Sequence, residues 1–353
     1  MPAEVQIKQF ELSEQEALLS FLRAAYTEEP RKSDPAFWKW HFLEGPYVHA
    51  DDIPLWIAKA GEKVVGQLGA IPIRLKVGDK EQRSIWYQDF NVHSDYRRRG
   101  LGQRLVEASL KSYPTALGIG FTDQAVPVFR GLKWKTLGES HRYQRLLFPG
   151  DALKEIARFA PLRKLSNFCY APFRPGISQG SSRYSAREIT RFDESFDDLW
   201  RRASRQWSCA MIRSSGYLEW QFMRQPGKKF DAFALYEQDR LVGYAVLFFR
   251  KPQRDGAAPA KAAISDLCYE GAAVIDELLH ASLRLAVERR VGSLVTDVLD
   301  PLVEKRLRRL GFWRIKRAPQ FMVKGSADLL YEPRNWFLTR ADCDITINEG
   351  PNL

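Results

Sequence analysis

The chain has 353 residues, with 54 Lys and Arg against 43 Asp and Glu, a formal net charge of +11, and 45% hydrophobic residues. That balance excludes disordered and disulfide-scaffold classes, and the longest apolar stretch, Leu241 to Phe249, is far short of the roughly 20 residues a membrane-crossing helix needs. The basic excess calls for an anionic partner, and nucleic acid, acidic lipid and a phosphorylated cofactor all fit it.

At roughly 150 residues per domain the length favours two domains. The first residues, MPAEVQIKQFELSEQE, carry acidic groups where a secretory signal has a basic flank and an apolar run, so a cytoplasmic protein is expected. Cys169, Cys209, Cys268 and Cys343 are far apart and show no CxxC pairing, which predicts buried free thiols.

In chain order, Ile7 and Phe10 precede an amphipathic helix. A Trp-rich helical segment follows, Phe37-Trp38-Lys39-Trp40-His41-Phe42, then a hairpin turning at Lys59 to Lys63. Ile85 to Val92 is an aromatic and β-branched run suited to a buried strand, and Leu101, Leu105, Val106 and Ala108 have the spacing of a core-facing helix ended by Tyr113-Pro114. A strand, a short helix around Phe129 and a last strand complete the unit. Asp151 to Phe168 has helical spacing with Leu153, Ile156, Ala157 and Ala160 on one face, predicting a helix packed on a domain, and Ala171 to Arg183 is a Pro, Gly and Ser-rich linker.

The same order then recurs. Tyr217-Leu218-Glu219-Trp220-Gln221-Phe222 repeats the Trp-rich segment at an offset of 180, Leu241-Val242-Gly243-Tyr244 repeats Val64-Val65-Gly66-Gln67 at 177, and Ser265-Asp266-Leu267 repeats Gln88-Asp89-Phe90 at 177. Two copies of one unit account for this: 1–150, a helix and linker over 151–184, and 185–353. Each is read as α/β, a central mixed sheet flanked by helices.

Ser94 to Gly102 joins a strand to a helix. The first amides of a helix lack internal partners and carry partial positive charge, Gly100 and Gly102 let an anion approach them, and Arg97, Arg98 and Arg99 add full charges. This is a diphosphate cradle. The segment resembles motif A of the GNAT acyltransferase superfamily, matched by Arg97, Gly100 and Gly102, and the chain as a whole resembles tandem GNAT members. The resemblance implies that this loop binds the pyrophosphate of acetyl-CoA as co-substrate, that the preceding strand splays from its neighbour, that Phe90, Asn91, Val92 and His93 line the pantetheine arm, and that Arg98, Arg99, Gly100, Leu101, Gly102 and Gln103 hold the phosphates. In the second copy four residues are missing at the phosphate loop and Glu270, Asp276 and Glu277 stand nearby, so only the first copy is expected to bind CoA.

Acyl transfer to an amine needs a base, an oxyanion donor and an acid for the leaving thiolate. Phe129 stands where the family's closing motif has its acidic Tyr, which leaves Tyr87, Tyr143, water or unaided thiolate departure. Asp89 is the candidate base, with a structural carboxylate as the other reading because Asp266 repeats it; the His93 imidazole, directly after the strand, is a second candidate. Trp38, His41 and Glu44 are the candidate acceptor contacts. Trp38, Trp40, Trp56, Trp86 and Tyr87 form an aromatic set suited to sugar faces or to a core. The basic cluster Lys305, Arg306, Arg308, Arg309, Arg314, Lys316 and Arg317 fits a solvated helix face or a phosphate contact. Asp342-Cys343-Asp344 lacks a supporting ligand, so no metal is expected. The function implied is an N-acyltransferase moving an acetyl group to a small-molecule or sugar amine bound between the copies, with no membrane span and no nucleic-acid partner; a FemX-like aminoacyl transferase and a non-catalytic CoA-binding regulator are the alternatives.

Overall fold

The computed structural model describes residues 4–152, 159–173, 183–250 and 261–342. Leu153, Ile156 and Ala157, most of the Ala171 to Arg183 linker, Cys343 and Asp344 lie outside them, as do the side chains of Lys316 and Arg317.

The first half runs β1 (Val5–Gln9), α1 (Gln15–Ala25), α2 (Pro35–Leu43), β2 (Leu55–Ala60), β3 (Lys63–Val77), β4 (Lys80–Val92), α3 (Leu101–Ser112), β5 (Ala116–Ile119), α4 (Val126–Gly131) and β6 (Lys135–Leu146). Two short helices follow, α5 (Pro149–Ala152) and α6 (Ala160–Cys169). The second half repeats the order with β7 (Tyr184–Glu188), α7 (Glu194–Ala203), β8 (Cys209–Met211), α8 (Ser215–Leu218), β9 (Asp231–Glu237), β10 (Arg240–Phe249), β11 (Lys261–Tyr269), α9 (Ala272–Glu288), β12 (Ser293–Leu299), α10 (Pro301–Arg309), β13 (Trp313–Lys324) and β14 (Trp336–Thr339).

Local chemistry sets these elements. Asp34 caps α2 by accepting the Phe37 amide at 2.8 Å, and Pro35 sits in the first turn, where its missing N–H costs nothing. Helix α2 is buried almost all round, so Phe37, Trp38, Trp40, His41 and Phe42 all face protein. Helix α3 buries one face, Leu101, Leu105, Val106 and Ser109.

The sheet orders as β1-β2-β3-β4-β5-β13-β6-β12-β11-β10-β9-β7. The closing strands are exchanged: β13 of the second half pairs with β5 of the first, β6 of the first pairs with β12 of the second, and β6 and β13 pair with each other. The halves therefore share one hydrogen-bonded sheet. A second joint lies above it. Trp40 and Trp220 stack at 4.8 Å and 18°, and each indole N–H donates to the other's backbone carbonyl, at 3.1 and 3.0 Å. The recurrence of this Trp at an offset of 180 is explained by a pseudo-twofold contact with itself. One hydrophobic cluster joins Phe37, Trp40, Trp86 and Phe321 with Tyr217, Trp220 and Trp336 across the junction.

One expectation is corrected. Cys209 and Cys268 are buried, and burial pushes their thiols up to about 11 and about 12, but Cys169 is exposed because it ends a helix whose outer face is bare. The stripe expected over Leu153, Ile156, Ala157 and Ala160 lies outside the described side chains; in α6, Leu162, Leu165 and Phe168 face solvent.

Candidate active site

Strand β4 pairs with β5 through Ile85 and Trp86 alone, after which β5 turns to β13, leaving Tyr87 to Val92 unpaired on that side. A gap opens in the sheet. The His93 amide donates to Val65 on the β3 side at 2.9 Å, so by the alternation of a strand the Val92 amide and carbonyl point into the gap; there the carbonyl accepts Arg97 Nε at 2.8 Å. Phe90 faces α3 and packs on Phe129 at 5.5 Å, while Asp89 faces the α1–α2 side. Phe129 is buried among Phe90, Phe121 and Trp134, and so floors the gap as an apolar ring with no proton to give.

The gap leads to the helix start. Gly100 caps α3 in the left-handed conformation with φ 75°, and Arg98 also takes a positive φ of 60°, which folds the loop back over the helix N-terminus. A side chain at Gly102 would put its Cβ 2.9 Å from the Phe90 ring. Arg97, Arg98, Arg99 and Gln103 are exposed around the amides of Leu101 and Gly102, and the Arg99 guanidinium lies 5.2 Å from the Tyr96 ring. This arrangement fits a diphosphate: the first amides and dipole of α3 lie beside an exposed loop that carries three arginines.

The α1–α2 side of β4 holds a cluster that the sequence only partly signalled. Asp89 is 3% exposed and its carboxylate pairs with Lys32 Nζ at 2.8 Å; Lys32 also lies 4.4 Å from the Tyr26 ring. Burial lowers the Lys32 ammonium and the Asp89 charge more than offsets it, so Lys32 titrates above its ordinary range. Tyr26 is pushed up by burial, then by Asp89, while its hydrogen bond to Asn91 opposes. Neither Lys32 nor Tyr26 was indicated by the sequence, because 57 residues separate Lys32 from Asp89 and no local pattern marks such a pair.

His41 is buried beside them, stacked on Phe42 at 4.4 Å, with its Nε2 lacking a partner. Burial pushes its pKa down to about 4, helped by the Lys32 and Arg31 charges and opposed by Asp89. The ring is neutral at physiological pH. Since its folded pKa lies below the unfolded value near 6.5, the unfolded chain takes up the proton first. The stability this residue contributes is complete above pH ~6.5 and is lost as pH falls toward 4, by up to about 3 kcal/mol. Urea unfolding at pH 7 and pH 4.5 should show His41→Phe flattening that loss; an unchanged pH slope would mean that other groups produce it.

The remaining candidates fall elsewhere. Tyr87 is buried with its hydroxyl bonded to that of Ser109, and burial pushes it far above its usual range. Tyr143 bonds Glu304 at 2.7 Å and Arg308 at 2.8 Å, against α10 rather than beside the gap. His93 is exposed and accepts the Asp95 amide on Nδ1 at 3.3 Å, capping a 3-10 turn. Trp38 is fully buried between Phe10 and Phe42, and Trp40, Trp56 and Trp86 are core residues. Glu44 is exposed and pairs with Lys39 at 3.4 Å.

The matching region of the second half is closed. Only Glu270 and Gly271 join β11 to α9, where the first half has the eight residues His93 to Gly100. Glu270 receives Arg202 at 2.6 Å and Arg240 at 2.8 Å. Strand β14 pairs with β12 at Val298 and Leu299, the position where β4 and β5 part in the first half. Asp266, the counterpart of Asp89, is locked by Arg213 at 3.0 Å, Tyr244 at 2.7 Å and Thr339 at 2.7 Å, and Asp342 joins Arg213 at 2.6 Å. Asp342 is thus half of an ion pair, and among the described residues no group of His, Cys, Asp and Glu could hold a metal.

Residues 6–122 match the family described as the acetyltransferase (GNAT) domain. The chain carries a GNAT domain. Three solved structures share the fold over most of the chain. A GCN5-related N-acetyltransferase from Anabaena variabilis is 14% identical, with a TM-score of 0.63, covering 91% of this chain and 72% of that one. A probable N-acyltransferase from Enterococcus faecalis is 13% identical, TM-score 0.63, with the same coverages. N-myristoyltransferase of Saccharomyces cerevisiae with bound myristoyl-CoA is 13% identical, TM-score 0.57, covering 91% and 82%. Among curated proteins no sequence matches. The matched residues hold most of β1, all of β2 to β5 and α3, and the whole Arg97 to Gly102 loop, and the fold of the chain is the one these three structures share.

Proposed function

We propose that the chain transfers an acetyl group from acetyl-CoA to a primary amine, with the donor held in the first half alone. The observation that carries this is the gap beside β4 ending at Gly100, where the amides of α3 and Arg97 to Arg99 meet. The thioester lies along Tyr87 to Val92, and the Val92 amide polarises its carbonyl. Phe90, Phe121 and Phe129 fill the space beneath the gap, which favours a short acyl group. With Phe129 in the position of an acid, the thiolate leaves unaided, as a thiol pKa near 8.5 permits. The acceptor approaches from the side of Lys32, His41 and Asp89, against the joint with the second half. His41 is buried behind that side, so it shapes the site without meeting the amine directly. The aromatic rings that suggested an amino sugar are packed into the core, so the proposal is limited to an amine. The second half, 185–353, serves as scaffold.

Calorimetric titration with acetyl-CoA tests the cradle. Gly100→Glu puts a carboxylate beside the diphosphate and should weaken binding at least about tenfold, while Arg99→Ala should weaken it less and flatten its salt dependence. Unchanged affinity in Gly100→Glu means the loop is misassigned. Thiol release with a panel of amines separates an enzyme from a CoA-binding regulator, and comparison of acetyl-CoA with long-chain acyl-CoA tests the donor.

A further inference from the structure

Helix α6 is built inside out. Its polar side, Arg163, Ser166, Asn167 and Tyr170, is turned toward the protein: the Asn167 carbonyl accepts the Gly150 amide at 2.8 Å and its amide donates to Asp151 at 2.8 Å. The approach is so close that a Cβ on Gly150 would lie 2.3 Å from the Arg163 carbonyl oxygen. The opposite side carries Leu162, Leu165 and Phe168, exposed by 49, 57 and 79%, with Phe159 at 64% just before the helix. These are four of the seven exposed large hydrophobic residues among those described, gathered within ten positions. A helix resting on a core does the reverse.

The surroundings are basic. Lys164 is exposed on α6. Tyr170, at its end, is near enough to Arg145 to affect that guanidinium, which in turn lies 3.4 Å from where a Cβ on Gly311 would stand. Gly311 follows the exposed Arg308 and Arg309 of α10 and precedes Trp313, 42% exposed, and exposed Arg314. On the other side the Arg290 guanidinium covers the Phe148 ring at 5.0 Å, next to α5.

We propose that this end of the molecule docks on an anionic lipid bilayer, with α6 lying in the interface, Leu162, Leu165 and Phe168 among the acyl chains, and the basic side chains on lipid phosphates. An apolar helix face that carries Lys164, with Arg145 and the exposed arginines of α10 on the elements beside it, matches such an interface in both polarity and charge. A second copy would bring the same +11 charge to the contact, and RNA would use the cations while leaving the leucines in water.

Flotation of the full chain with vesicles tests this. Vesicles containing about 30% phosphatidylglycerol should bind it at least about tenfold better than phosphatidylcholine alone, and raising salt from about 0.1 to 0.5 M should weaken binding. Leu162→Ser with Leu165→Ser should reduce binding by about tenfold or more while leaving the urea midpoint unchanged, because both side chains are already exposed. Lys164→Glu with Arg309→Glu should reduce it on anionic vesicles only. The proposal is overturned if anionic vesicles do not bind the chain, or if the serine variant binds them as well as the parent. It is also overturned if the chain is a dimer that the serine variant converts to monomer, or binds RNA irrespective of the leucines, with vesicles ignored in either case.

Discussion

Asp89→Asn is expected to destabilise the protein by roughly 3 kcal/mol or more, toward the 3–5 kcal/mol range for breaking a buried pair, because Lys32 would remain as a buried ammonium without its counter-charge. The Lys32 side chain is 12% exposed and that of Asp89 4%, so solvent screens little of the loss. Lys32→Met alone should cost a comparable amount by leaving the carboxylate unpaired. The double variant Lys32→Met with Asp89→Asn should recover most of the stability, since neither charge is then buried. Measured together, urea unfolding and acetyl transfer separate two roles for Asp89. If it is structural, the double variant turns over within about tenfold of the parent once folded. If it is the base, the double variant is restored in stability yet its turnover stays about 100-fold or more below the parent. The second half favours the structural role: Asp266 repeats Asp89, and Arg213, just before α8 as Lys32 is just before α2, neutralises it at a site whose gap is closed.

That Arg97 to Gly102 opens a helix was legible because the signal is local: the glycines and cations that suit an anion at a helix start stand within six residues. The repeat was legible for a related reason, since Trp40 and Trp220 keep their identity through a contact with each other. The exchange of β6 and β13 was not, because the alternation of apolar residues in a strand shows which face is buried and never which strand lies beside it. Helix α6 shows the same limit: its residues do not say which of its sides rests on the protein, and Asn167 anchors the polar one. The Asp89 partner could not be read either, although the cation before each Trp-rich helix, Lys32 and Arg213, is a recurrence visible in the sequence once the pairing is known.

Trp220→Ala should cost about 4 kcal/mol, a large part of the 5–15 kcal/mol that holds a typical protein folded. Trp220 is 2% exposed, so its removal leaves a cavity in the cluster that joins the halves. It also removes the indole donor that the Trp40 carbonyl accepts, stranding that carbonyl, while the residue 220 carbonyl that accepts the Trp40 indole N–H is kept. Trp220→Phe, which keeps ring stacking and loses only the indole donor, should cost less, about 1–2 kcal/mol. The more informative outcome is the shape of the transition. With β13 inserted beside β5 and β6 beside β12, neither half can complete its own sheet without a strand of the other. Loss of the acetyl-CoA binding proposed for the first half should therefore coincide with loss of secondary structure across the chain in urea, and Trp220→Ala, placed in the second half, should move both midpoints together. Two separate transitions, with acetyl-CoA affinity surviving the first, would mean that the exchanged strands do not bind the halves into one cooperative unit.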